Sequence, residues 1–131
     1  MFYYRLYDAT NKRGDKWKIL VLKIGSNDLT NETAHEFVHS LMAFLEHVQN
    51  QHGINRIVIM EILYRRHTDQ YPVEMDIETY NSIVAAANQQ LKTLCENSCY
   101  MDFWQHYSLQ HRRFISRDGV HLTPEAVARY W

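Results

Sequence analysis

Residues Ile19–Ile24 read I-L-V-L-K-I and run directly into Gly25-Ser26-Asn27-Asp28. A nearly unbroken apolar run of this length is what a strand covered on both faces looks like. A glycine followed by short polar residues ends it in a loop. A second run, R-I-V-I-M-E-I-L over Arg56–Leu63, has the same character, and Tyr100–Trp104 predicts a short third strand. Between the first two, Phe37, Val38, Leu41, Phe44, Leu45 and Val48 form one stripe at helical spacing. They predict a helix over about 32–49, capped by Thr30 or Asn31 and stopped by Gly53. Ile83, Val84, Ala87, Leu91 and Leu94 mark the inner face of a second helix over about 77–94.

Strand and helix therefore alternate, which implies a parallel sheet with covering helices. Around this centre, residues 2–7 are aromatic-rich and 8–16 read as a polar turn. Residues 64–75 and 105–122 read as long loops, of the kind that often carry function. Thr123, Pro124 and Glu125 open a last helix, with a capping hydroxyl, a proline at the first helical position and a carboxylate near the positive dipole end.

The 131 residues suit one domain, 1–131. Lys and Arg total 14 against 15 Asp and Glu, a formal charge of −1. That balance offers no footprint for nucleic acid or an anionic membrane. No apolar run approaches the ~20 residues that cross a bilayer, and the N-terminus lacks the pattern of a signal peptide. The reading leans towards a cytoplasmic location. Cys95 and Cys99 are expected to be ordinary free thiols near a helix end, since a disulfide at that spacing needs the turn to unwind.

In parallel sheets of this kind ligands sit beyond the carboxyl ends of the strands. Two short patterns fall on that rim. Gly25-x-Asn27-Asp28 follows the first strand: the glycine permits a tight turn, and the Asn27 amide can point at a developing oxyanion. Asp118-Gly119-Val120-His121 follows the third: the carboxylate can orient the imidazole and leave its other nitrogen as a general base. Taken singly, the first also describes an Asx turn leading to a helix and the second a helix-entry turn with a solvated histidine.

Together, in this order, they resemble the SGNH (GDSL-like) hydrolase family, whose members are serine esterases and acylhydrolases. The resemblance runs from about Trp17 to Trp131 and is similar in wording at I-G-S-N-D-L, Ile24–Leu29. It implies a three-layer α/β/α fold with a flavodoxin-like parallel sheet. It implies Asn27 as oxyanion donor, His121 as base, Asp118 as its partner, and Gly25 and Asp28 as residues shaping the loop. It implies a small ester or acyl substrate and no cofactor or metal.

The family's nucleophile sits in a Gly-Asp-Ser block upstream of G-x-N-D, and no such block precedes Gly25 here. The first serine is Ser26; it sits beside Asn27 at the variable position of that block and is a weak substitute, so the nucleophile is unassigned. The sheet is therefore expected to be incomplete on its N-terminal side, with strand Ile19–Ile24 lacking one neighbour. A long apolar strand with a free edge is a pairing liability. Either the aromatic segment Phe2–Tyr7 partly covers it, or the chain is a fragment whose missing N-terminal segment does, or a partner chain does; the reading favours the fragment. The implied outcomes are an incomplete enzyme, or a non-catalytic binding module on the same fold.

His35-Glu36-Phe37-Val38-His39 also fits H-E-x-x-H, the zinc-protease pattern, with Glu61, Glu74 or Glu78 available as a third ligand. At about 100° per residue, both histidines fall away from the apolar stripe and towards solvent. His47, His52 and His67 read as surface or loop positions. His106, His111, Arg112 and Arg113 read as a solvated loop able in principle to meet an anion, and Trp104 as core.

Overall fold

A computed structural model of the chain describes residues 3–10, 13–14, 16–26, 28–65 and 76–105. The elements in chain order are β1 (Tyr3–Thr10), β2 (Lys16–Lys23), a 3₁₀ turn (Asp28–Thr30), α1 (Ala34–His52), β3 (Arg56–Met60), α2 (Ile77–Glu96) and β4 (Met101–Trp104). The strands lie side by side in the order β1-β2-β3-β4. β2, β3 and β4 are parallel, as alternation with helices predicts. β1 runs antiparallel to β2, which makes the sheet mixed.

β1 takes the edge of β2 that the sequence leaves open. Its register spans the whole strand, from Tyr3 opposite Lys23 to Thr10 opposite Lys16. The polar turn expected over 8–16 is accordingly shorter, because residues 8–10 and Lys16 are already in the ladder. Antiparallel neighbours can be joined by a short turn, whereas a parallel neighbour needs a long crossover.

Alternation sorts the central strands into two faces. Leu20, Leu22, Ile57 and Ile59 are buried against Phe37, Leu41 and Leu45 of α1 and Val84, Ala87 and Leu91 of α2. The two helices also pack on each other, so both cover this one face. Among the described residues these are two layers of an α/β/α fold. The last helix expected from Thr123 lies outside the described residues.

α1 starts later than expected. Its cap is Thr33, whose Oγ1 accepts from the Glu36 N–H at 3.1 Å while Glu36 Oε1 accepts from the Thr33 N–H at 3.4 Å. This reciprocal pair needs a carboxylate three residues on, which neither Thr30 nor Asn31 has. Gly53 ends the helix in the left-handed conformation, φ +60°, as its position predicts. Trp104 departs from expectation: it is 55% exposed. Phe103 packs on the core from the outermost described strand, so its neighbour Trp104 is turned to the opposite face.

Candidate functional site

β2 and β3 point the same way, so the segments leaving their carboxyl ends meet on one rim. From β2 the chain passes through Gly25 and Ser26 to the 3₁₀ turn at Asp28. Gly25 is buried with φ +98°, in the region that favours glycine. A Cβ there would lie 2.7 Å from Ile62 Cδ1 and 2.9 Å from Phe37 Cζ. The turn closes on itself: the Leu29 N–H donates to the Gly25 carbonyl at 3.0 Å, and the Asp28 carbonyl accepts from Asn31 and Glu32 at 3.1 and 3.0 Å. Leu29 is fully buried and anchors it in the core.

From β3 the chain continues through Glu61, Ile62 and Arg65, all buried. Helix α2 holds this extension with two asparagines. Asn88 Nδ2 donates to the Ile62 carbonyl and Oδ1 accepts from the Ile62 N–H, both at 2.8 Å. Asn81 does the same for Arg65, at 2.7 and 2.9 Å. The Arg65 guanidinium stacks over the Tyr80 ring, 4.7 Å from its centroid. It donates from one nitrogen to the Ser26 carbonyl and to Ser26 Oγ, each at 3.1 Å. Tyr80 Oη donates to the same carbonyl at 2.7 Å and lies 3.4 Å from Ser26 Oγ.

The rim is thus built around a cation that is only 6% exposed. In such a site a charge acts at a lower effective dielectric than in water. Burial pushes the Tyr80 phenol up, opposed by its Ser26 hydrogen bond and the Arg65 charge, so it is held as a neutral donor. Burial lowers Lys23, at the end of β2.

Of the residues named from the sequence, Gly25 and Asp28 lie on this rim. Asn27, Asp118 and His121 lie outside the described residues, as do Glu74, His67, His106, His111, Arg112 and Arg113. His35 and His39 are both exposed on α1, and Glu78 is exposed in the first turn of α2. Among the described residues no cluster of three or more His, Cys, Asp or Glu is placed to hold a metal. His47 and His52 are exposed, and Cys95 and Cys99 are free thiols. A groove of about 760 Å³ between the C-terminal half of α1 and the α2–β4 connection, lined by His39, Met42, Gln49 and Cys99 among others, is at the other end of the helices from this rim.

Arg65, Tyr80, Asn81 and Asn88 went unnoticed in the sequence. Arg65 falls where only a polar loop is legible. Asn88 did carry a signal, because a polar residue four positions after Val84 lies inside the apolar stripe of its helix.

The family model of GDSL-like lipases and acylhydrolases matches residues 5–129. A solved Streptococcus pneumonia structure, provisionally described as a platelet activating factor, superposes with a TM-score of 0.65 at 21% identity. The match covers 84% of this chain and 53% of that one, so this chain spans about half the length of its structural neighbour. No curated protein matches. At this identity the structural match speaks for the fold, and the family model, which takes in nearly the whole chain, speaks for descent: the protein belongs to the GDSL-like lipase/acylhydrolase family.

Proposed function

We propose that this chain carries the oxyanion-donor and base half of an acylhydrolase that cleaves ester bonds by a Ser-His-Asp mechanism. A serine supplied from outside these 131 residues, on a preceding segment or a partner chain, attacks the acyl carbon. His121 takes its proton, and Asp118 orients the imidazole and stabilises its charged form. Asn27 donates to the oxyanion of the tetrahedral intermediate. As that intermediate collapses, His121 returns the proton to the departing alcohol, and water then releases the acid by the same steps. The observation that carries this reading is the G-S-N-D loop leaving β2 on the strands' carboxyl-end rim, in a chain of this family.

Ser26 is the serine nearest to hand, and its surroundings argue against it as nucleophile. Its Oγ accepts from the Arg65 guanidinium at 3.1 Å. An oxygen held as the acceptor of a cationic donor is a poor nucleophile. By itself, then, the 131-residue chain is inactive or nearly so. The absence of a Gly-Asp-Ser block also favours a second reading, a non-catalytic module that uses the same rim to bind a small ligand.

A fluorophosphonate probe separates them. No adduct is expected on the chain alone. A serine adduct is expected once the preceding segment or partner is supplied, and it disappears in His121→Ala. An adduct on Ser26 overturns the external nucleophile. A labelled serine indifferent to both His121→Ala and Asp118→Ala overturns the assigned base and orienter. No label in any completed form leaves the binding module.

A further inference from the structure

We infer that Arg65 is a positioning residue for the Gly25–Asp28 loop, acting through Ser26, with Tyr80 as its second arm. The inference rests on the reading of that loop as the carrier of the Asn27 oxyanion donor.

The argument begins with what surrounds Arg65. Arg65 is 6% exposed, so its guanidinium has lost most of its hydration and is held by the contacts it makes inside the fold. Here one nitrogen reaches both oxygens of Ser26. The main chain of Arg65 is tied at both N–H and carbonyl by Asn81, and its planar head is seated on Tyr80. Two of these partners, Tyr80 and Asn81, are adjacent residues near the start of α2, and the third, Ser26, lies in the loop that leaves β2. The arginine therefore has little freedom left, and what it grips inherits that rigidity.

What it grips is the carbonyl immediately before position 27. A peptide group is planar, so fixing the Ser26 carbonyl fixes the plane through which the chain continues. Two donors meet on this one oxygen, the guanidinium at 3.1 Å and the Tyr80 hydroxyl at 2.7 Å. On the other side of the loop, Gly25 is wedged against Ile62 and Phe37 with no space for a Cβ. The loop is thus held from below by packing and from the side by two directed hydrogen bonds. An oxyanion donor is effective only when its orientation is set before the reaction, and supporting residues of this kind set it. A lysine offers a point charge in place of the planar fork and cannot reproduce both the stacking and the shared contact.

The test is amide hydrogen exchange by NMR on the 131-residue chain, which requires no catalysis. The reporter is the Leu29 N–H, bonded to the Gly25 carbonyl; Ile57 and Ile59 N–H in β3 are the controls. In Arg65→Met, exchange at Leu29 is expected to rise at least about tenfold with the controls unchanged. Tyr80→Phe, which removes only the hydroxyl, gives a smaller rise, and Arg65→Lys recovers less than half of the loss. Millimolar guanidinium ion added to Arg65→Ala is expected to restore part of the protection. Unchanged Leu29 exchange in Arg65→Met overturns the inference. So does an equal rise at Leu29 and the controls, which marks a general loss of stability. Should Arg65→Met not fold, Tyr80→Phe decides on the same criterion. Failure of the hydrolase reading appears only in the fluorophosphonate experiment and leaves this exchange pattern intact.

Discussion

Asn88 closes on both main-chain groups of Ile62, giving a hydrogen bond to the carbonyl and taking one from the N–H, each at 2.8 Å. Ile62 lies beyond the last rung of β3, so the amide replaces the neighbouring strand that the ladder no longer supplies. Asn81 repeats the contact on Arg65 two helical turns earlier, on the same side of α2. Two side chains of one helix thus extend a strand past the end of its sheet and carry it to the rim.

Asn88→Ala leaves a buried N–H and a buried carbonyl unmatched. The expected loss is about 2–4 kcal/mol, read from the urea midpoint at constant m-value. Asn88→Asp also fails, since a carboxylate has no proton for the Ile62 carbonyl. A loss no larger than that of an exposed substitution such as Gln89→Ala contradicts the clamp.

Gly25→Ala combines a positive φ with two contacts below 3 Å to Ile62 and Phe37. Strain and overpacking together are expected to cost about 2–4 kcal/mol. Pairing it with Ile62→Val, which withdraws the nearest atom, recovers part of that loss. An additive double variant, measured by denaturation, would rule out the contact.

Cys95 is buried, and burial pushes its thiol up from 9.0 to about 11, with the nearby Asp102 charge adding to the effect. The folded state therefore holds this proton more tightly than the unfolded chain does. The contribution is complete below pH 9 and is lost as pH rises towards 11. The stability difference between wild type and Cys95→Ala should accordingly change by on the order of 2 kcal/mol between pH 8 and pH 11. Urea titrations at the two pH values check it, and a difference independent of pH refutes it.

Thr33→Ala removes the cap of α1 and should cost about 1 kcal/mol, whereas Thr33→Ser keeps the oxygen and costs a few tenths. Thr30→Ala, at the cap position first expected, should have the smaller effect of the two alanine substitutions. Thermal unfolding of the three variants ranks them.

Much of the centre was legible because its determinants are local. The runs at Ile19–Ile24 and Arg56–Met60 and the apolar stripes of α1 and α2 each reveal an element within a few turns of chain. Their alternation leads to parallel strands, and parallel strands place Gly25 and Asp28 at a carboxyl-end rim. The error at the start of α1 was also local. Three residues with capping side chains compete there, and only the reach of Glu36 selects Thr33.

The sequence by itself determined the three parallel strands, the two helices between them, their order and the family, since hydrophobic period and a short loop motif are written in consecutive residues. Tertiary structure alone decided that β1 covers β2 in antiparallel sense, that Trp104 is turned away from the core, and that Arg65 and Tyr80 converge on Ser26. Those outcomes depend on hydrogen bonds and packing between residues tens of positions apart, such as Ser26 and Tyr80. Such partners become neighbours only once the sheet has formed, and nothing in the composition of either segment names the other.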